Sequence, residues 1–135
     1  MAVLARADAE ALQERLGDVP RYRVLRGPEP GLVMVRGRAG GGGAPFNLGE
    51  MTVTRCTVRT DTGLVGHAYV AGRKQRLAEL AALVDALLQD PERQPGLLRQ
   101  VIEPLAELQE ARCANIAAKA SATRVQFFAM RNMRA

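Results

Sequence analysis

Serine and histidine, the residues from which catalytic triads are built, are scarce in this sequence of 135 residues. The chain contains one histidine, His67, and one serine, Ser121. A serine–histidine–aspartate triad would need both, yet Ser121 follows an alanine-rich stretch without the glycines of a nucleophile elbow. His67 stands in a strand-like run beside Tyr69, where a hydrogen-bonded structural role is the favoured interpretation. The sequence therefore identifies no catalytic residue.

The two cysteines, Cys56 and Cys113, lack the spacing of a metal site or of a redox pair. A zinc site would have to collect them with His67 and a carboxylate from separate elements, and no two of them stand at zinc-finger spacing. Arg55 and Arg59 flank Cys56 and could lower its pKa, but a cysteine packed as a small apolar side chain is the simpler interpretation. Separated cysteines without a CxxC motif are typical of reduced thiols in a cytoplasmic protein. We expect no metal, no cofactor and a cytoplasmic location.

Two glycine-containing segments could bring backbone amides close to an anion. A Walker loop continues into Lys-Ser/Thr and a helix, but the glycines of residues 40–43 lead into Ala-Pro-Phe-Asn and a strand, which excludes a Walker site. This loop is either a plain linker or a place where a phosphate or a partner's backbone can approach. Gly72, Arg73 and Lys74 fall where a strand passes into a helix, so amides and Arg73 could meet an anion together. A glycine with basic neighbours at the start of a helix does not by itself identify an anion site.

Positive charge is concentrated in residues 20–76, which hold ten basic side chains against three acidic ones, a net charge of +7. Nearly all of these basic groups are arginines, whose planar fork suits bidentate contacts with phosphate or carboxylate groups. Such a segment attracts phosphates, nucleic acid or an acidic protein surface. The alternative is a solvated sheet face without a ligand.

Hydrophobic periodicity predicts an α+β domain over residues 1–135, with an antiparallel sheet of about four strands packed by helices. The strand-like runs are residues 21–26, 31–38, 51–60 and 64–71, with turns at 27–31 and 61–63 and a bulge near Arg55. Helices are predicted over 3–16, 74–89, 96–102 and 104–122, and the apolar segment 125–130 is expected to be buried. No signal peptide or membrane-spanning segment is expected.

Most of the chain resembles one family, in the same order and without large gaps. The resemblance rests on residues 31–41, 45–56, 63–73 and 78–87, and it closes on Val125-Gln126-Phe127-Phe128. On these residues the chain is similar to the PhnG family, the G subunit of the bacterial carbon–phosphorus lyase system. The resemblance implies an accessory subunit in a complex with H, I and J subunits, with the L subunit needed for the first reaction.

The first reaction that the resemblance implies displaces adenine from ATP with methylphosphonate and leaves ribose 1-methylphosphonate 5-triphosphate. The I subunit is expected to carry that chemistry, and the radical iron–sulfur subunit J later cleaves the carbon–phosphorus bond. No catalytic residues are established for the G subunit of the family, which agrees with the search above. We expect Arg36, Arg38, Arg55 and Arg73 to contact the triphosphate or partner carboxylates.

The chain departs from the family pattern at two places. After Gly72 and Arg73 the pattern runs Asp-Lys-x-His-Ala-Glu, whereas this sequence has Leu77 at the histidine position, and near its end it has Gln126 for a usual aspartate. Because Leu77 falls on the apolar face of a predicted helix, we interpret the change as structural. Two other functions stay open: a structural clamp for the I subunit, and a nucleic-acid-binding module, although only Tyr22 and Tyr69 are aromatic within the predicted strands.

Overall fold

Strand-forming and helix-forming residues come in separate blocks along the chain, and the structure follows these blocks. The computed structural model describes residues 1–40 and 42–125. A 3₁₀ turn at Leu4–Arg6 comes first, and the regular elements that follow are α1 (Ala9–Leu16), β1 (Tyr22–Gly37), β2 (Phe46–Thr60), β3 (Val65–Ala71), α2 (Gln75–Leu87), α3 (Gln94–Leu97), a π-helical turn (Leu98–Ile102) and α4 (Glu103–Ala122). The predicted first helix starts later because Asp8 accepts a hydrogen bond from Ala9 N and caps α1 there.

The three strands form an antiparallel sheet in the order β1-β2-β3, which confirms the α+β class. The sheet has three strands instead of about four because the first two predicted runs are one strand, β1. Pro28 and Pro30 cannot donate backbone hydrogen bonds, but β1 is an edge strand, where a missing donor is tolerated. Shifts of pairing register between Val24 and Glu29 absorb the extra residues, so the predicted turn at 27–31 lies inside β1. The turn at 61–63 is confirmed, with Gly63 N donating to Thr60 O.

The predicted bulge near Arg55 is wrong for β2, whose pairing with β3 runs without a shift from Val53 to Arg59. The irregularity lies on the opposite strand, in β1. Val53 and Val58 differ in parity because they face opposite sides of the sheet, and both are buried. Val58 belongs to the main core, whereas Val53 lies on the other face.

Helix α2 supplies most of the core and packs on β2 and β3. Nine of its thirteen residues are buried, among them Leu77, Leu80 and Leu83. They meet the inward-facing side chains Cys56, Val58, Ala68 and Val70 of the sheet. Gly66 lies where α2 comes closest to β3, because an added Cβ would overlap the Ala82 carbonyl oxygen and the Ala86 amide nitrogen. The helix can sit this near the sheet only without a side chain there.

Side chains of α2 and of the segment after it also occupy the outer edge of β3. The backbone N–H of His67 donates to Oδ2 of Asp85 at 3.0 Å. Nε2 of Gln89 donates to the Val65 carbonyl oxygen at 2.7 Å. The edge of β3 is therefore closed by polar side chains instead of a further strand.

The C-terminal helices are continuous, whereas the sequence predicts separate helices over 96–102 and 104–122. The π-helical turn lies directly before Pro104, whose ring and missing N–H disfavour a regular bond to the carbonyl of Gln100. Within α4, Leu105 is buried, and Gln109 Nε2 donates to Val3 O at 2.7 Å. Residues 110–122 are all exposed, so this part of α4 projects from the core. Val125 is exposed, and the rest of the apolar segment 125–130 lies outside the described residues.

We expect Gly66→Ala to lower the free energy of unfolding by about 3 kcal/mol, the upper end for overpacking, because its Cβ meets backbone and not a flexible side chain. Chemical denaturation of the isolated chain measures the change. Gly31→Ala is the matched control, since a Cβ at this strand glycine has no atom within 4 Å. Equal stability of the two variants would contradict the close approach of α2 to β3.

Candidate interaction and anion-binding surfaces

Strands β1 and β2 extend beyond β3 and form a two-stranded arm, defined here as residues 31–37 and 46–52. Strand β3 pairs with β2 only from Val53 to Arg59. The pairing of β1 with β2 continues from Gly31–Val53 to Gly37–Phe46. At about 3.3 Å per residue the arm projects roughly 23 Å past the end of β3. A two-stranded hairpin is at best marginally stable in water without a covering layer, so the arm needs a partner surface.

Apolar side chains stand uncovered on both faces of the arm. Leu32 and Met34 are 64% and 60% exposed and alternate with Val33 and Val35, which point to the other face. Phe46, Leu48 and Met51 of β2 are also exposed large hydrophobic residues. Contiguous apolar surface of this kind is typical of interaction sites.

The tip of the arm carries two of the four candidate arginines. Arg36 and Arg38 are exposed, and the Arg36 guanidinium donates a 3.5 Å hydrogen bond to the Pro45 carbonyl oxygen. Residues 30–49 contain no acidic side chain. The predicted position of these arginines beside the glycine-rich loop is therefore correct, and their charge faces outward without an acidic neighbour in the same segment.

The third candidate, Arg55, lies in the middle of the outer sheet face and is engaged within the chain. Oε1 of Glu29 accepts from Arg26 Nε at 2.6 Å and from Arg55 Nε at 2.9 Å. The cross-strand neighbour Tyr69, followed by Glu29, raises the pKa of Arg55. Hydrogen bonding from Arg26 is the main cause that lowers the pKa of Glu29. This arginine thus holds the irregular part of β1 to β2.

The fourth candidate, Arg73, lies between β3 and α2, as the sequence predicts. It lines an open groove of about 350 Å³ with Lys74 and Arg76, opposite Asp8 and Glu10 at the start of α1. The two acidic side chains offset part of the positive charge of this groove.

The four arginines do not form one site. Arg36 pairs with Asn47, which lies eight positions from Arg55 along β2. The strand spacing places these two arginines about 26 Å apart, much farther than a triphosphate can reach. If Arg36 and Arg55 bind anions, they bind separate ones.

The other residues considered for a catalytic or metal-binding role have structural roles. Cys56 is buried on the inner face, away from Arg55 and Arg59, and burial raises its pKa, as expected for an unreactive thiol. His67 Nδ1 is hydrogen-bonded to Thr57 Oγ1 at 3.1 Å, which confirms its bonded position in a strand. Leu77 is buried in α2, in agreement with the structural interpretation. Among residues 1–40 and 42–125, no three His, Cys, Asp or Glu side chains cluster as metal ligands would.

The sequence predicts the arginines but not the apolar arm. The sequence does contain an indication of the arm. Four consecutive apolar residues place apolar side chains on both faces of a strand: Leu32, Val33, Met34 and Val35. Among the described residues, the helix that packs on the sheet, α2, lies against its inner face. An apolar strand without a covering element indicates a partner.

An α+β domain that leaves a hairpin and a helix uncovered has the features of a subunit of a larger assembly. The part of the chain that is described contains no helix with the length and apolar character to cross a bilayer. A family model for the phosphonate metabolism protein PhnG matches residues 1–132. The chain is also 45% identical over 133 residues to a Rhizobium meliloti (strain 1021) protein, alpha-D-ribose 1-methylphosphonate 5-triphosphate synthase subunit PhnG. That match covers 96% of this chain and 85% of the relative.

The chain therefore belongs to the PhnG family of phosphonate metabolism proteins, as the sequence resemblance indicated.

We expect Glu29 to titrate below the ordinary range of a glutamate, because Arg26 and Arg55 favour its ionised form. Since its folded pKa is depressed, its contribution to stability is present above the unfolded pKa and is lost as the pH falls through the folded pKa. A titration followed by NMR measures this value.

Arg26→Gln should return the pKa of Glu29 in the folded state toward the ordinary range. Between the folded and unfolded pKa values of Glu29, the free energy of unfolding of this variant should then depend less on pH than that of the wild type. Arg99→Gln is the control, since Arg99 lies between α3 and α4 and not on the sheet. A Glu29 pKa that is unchanged in Arg26→Gln would contradict the assigned ion pair.

Proposed function

We propose that this chain is an accessory subunit of the synthase that forms ribose 1-methylphosphonate 5-triphosphate from ATP and methylphosphonate with release of adenine. The observation that carries the proposal is the uncovered arm of residues 31–37 and 46–52, together with the exposed part of α4. Similarity to the Rhizobium meliloti protein, which is named as a subunit of that synthase, supports the reaction. Its partners are the H, I and J subunits, with the L subunit needed for the first reaction, and the assembly works in the cytoplasm.

In this proposal the reacting groups belong to another subunit. Cys56 is buried, His67 is hydrogen-bonded to Thr57, and Ser121 lies on the exposed part of α4, a different element from His67. These positions support an accessory role, because a nucleophile and its base must lie within hydrogen-bonding reach of each other. The contribution of this chain is then to shape or complete a site on its neighbour.

The tip arginines are the best placed of the four candidates to reach a neighbour's site. Arg36 and Arg38 lie at the end of the arm, which carries them roughly 23 Å beyond β3. There they can contact a triphosphate or a partner's carboxylates. Arg73 can contact an anion at the entrance to α2, whereas Arg55 is engaged with Glu29 and has an internal role.

A structural clamp for the I subunit is the alternative, and the separation of the four arginines favours it. A clamp needs the arm for attachment only, so no arginine would touch substrate. Nucleic-acid binding is less well supported, because the two exposed aromatic residues of the strands, Phe46 and Tyr69, lie nine positions apart along β2 and do not form one stacking platform. A steep salt dependence of nucleic-acid retention on a filter would favour that function instead.

Reconstitution with the H, I and L subunits, ATP and methylphosphonate tests the proposal. We expect that omission of this chain abolishes formation of the phosphonate-coupled product, even if adenine is still released. Product analysis by phosphorus NMR and adenine release by chromatography separate the two outcomes. Unchanged coupling in the absence of this chain would refute the accessory role.

Substitution of the arginines distinguishes substrate contact from clamping. We expect Arg36→Ala with Arg38→Ala to lower kcat/KM about tenfold or more while assembly is retained, since one charged contact contributes roughly 1.5–3 kcal/mol. Arg73→Ala should have a smaller effect, and Arg55→Ala should lower stability instead. Arg99→Ala serves as the charge-matched control outside these surfaces. Full turnover and full assembly in all three candidate variants would exclude a role of these arginines in substrate binding.

A further inference from the structure

In the part of the chain that the structure describes, the first half of one edge of β2 has no strand beside it. Strand β2 pairs with β1 over residues 46–60 but with β3 only over residues 53–59. Strand β3 ends at Ala71, and Gly72 N donates to Thr52 O at 2.8 Å as the chain turns away toward α2. Residues 46–51 therefore present an open edge that continues the line of β3.

The other sheet edges are protected by features that this stretch lacks. Asp85 and Gln89 bond to the backbone of β3. Pro28 and Pro30 interrupt the donors along the first half of the outer edge of β1. Along residues 46–51 the described residues include no proline and no side chain bonded to the backbone edge, and the exposed apolar residues Phe46, Leu48 and Met51 line the stretch. A register shift leaves Leu48 without a partner on β1, so the regular part of this edge is residues 49–51, around Glu50.

The backbone groups that face the open edge follow from the hydrogen-bonding pattern. Thr52 and Thr60 both bond on the side of β3, through Thr52 O and Thr60 N. In an antiparallel strand alternate residues bond to the same side, so the N–H and C=O of Glu50 also point there. Met51, one residue on, bonds toward β1 across from Val33.

We propose that the open edge at residues 46–51 receives an extended strand from a different subunit of the assembly, which adds to the sheet in line with β3. Added strands gain affinity from main-chain hydrogen bonds and specificity from alternate side chains. Because the faces of the arm expose apolar side chains, we expect the incoming strand to carry apolar side chains as well. Arg36 and Arg38 lie in a segment without acidic residues. We therefore expect a carboxylate at the end of the incoming strand that lies near the tip of the arm.

A second copy of this chain is a poorer occupant. Two arms paired edge to edge would form a four-stranded ribbon that still exposes Leu32, Met34 and Met51 of each copy to water. It would also bring two Arg-bearing tips into one assembly without an acidic partner from residues 30–49. A different chain can supply both the strand and a cover for the apolar faces.

This inference rests on the proposed function, and a pair of substitutions at Glu50 tests it separately. Glu50→Pro removes an N–H that points into the open edge and leaves the β1–β2 bonds in place. Glu50→Ala removes the same side chain but keeps the N–H. Each variant is co-expressed with the H, I and J subunits, and the yield of intact complex is measured by native mass spectrometry.

We expect Glu50→Pro to lower the yield of complex at least about tenfold relative to Glu50→Ala, because proline blocks the ladder of an added strand. Met34→Pro, directly across from Glu50, places the same change on the outer edge of β1 and should assemble better than Glu50→Pro. Equal yields for the two Glu50 variants, or a greater loss in Met34→Pro, would overturn the proposal. Failure of the wild-type chain to enter the complex would instead overturn the proposed function and this inference with it.

Hydrogen exchange on the wild-type chain gives a second test that does not depend on the folding of a variant. The Glu50 amide should exchange rapidly in the isolated chain and at least about a hundredfold more slowly in the complex, as expected for a strand amide that becomes paired. A Glu50 amide that exchanges equally fast in both states would overturn the proposal.

Discussion

The close contact between α2 and β3 at Gly66 is the constraint on which the rest of the structure depends. With the helix backbone this near the sheet, nine residues of α2 are buried against the inner face. The same approach brings Asp85 and Gln89 within reach of the edge of β3. The absence of a side chain at Gly66 therefore permits both the packing of the core and the closure of the β3 edge. Because α2 packs on β3 and on the parts of β1 and β2 near it, the distal part of β1 and β2 has no covering layer among the described residues.

Two parts of the chain lie beyond this core. The arm of residues 31–37 and 46–52 extends from one end of the sheet, and residues 110–122 of α4 project after Leu105 and Gln109, which anchor the helix. Neither a lone hairpin nor a short uncovered helix is stable in water by its local interactions alone. Both are geometries that a neighbouring subunit can stabilise. The chain belongs to the PhnG family, and its described residues contain no cluster of metal-ligating side chains. Both findings agree with a subunit that acts together with its neighbours.

The sequence predicts most of the fold, because periodicity reports which side chains are buried. Helix α2, the turn at 61–63, strand β3 and residues 51–60 of β2 follow from local patterns, whereas residues 46–50 of β2 are not predicted as strand. The prolines at 28 and 30 suggest a turn, but an edge position and register shifts let β1 continue through them, and a local pattern cannot report which strand is at the edge. Likewise, Pro104 suggests a helix start, whereas a preceding π-helical turn keeps the helix continuous. The candidate arginines could be named from charge, but their separation depends on register, which only the pairing of the strands reveals.

The exposed apolar arm also bears on how the chain must be produced. A newly made chain folds its core around α2 by itself, yet it carries Leu32, Met34 and Phe46 uncovered until a neighbour is present. Such surface favours self-association in proportion to the concentration of free chain. Cells that make this subunit in excess of its partners would therefore accumulate an orphan species open to aggregation and proteolysis. In the proposed assembly, where a partner completes the arm, balanced synthesis of the subunits keeps the amount of free chain low.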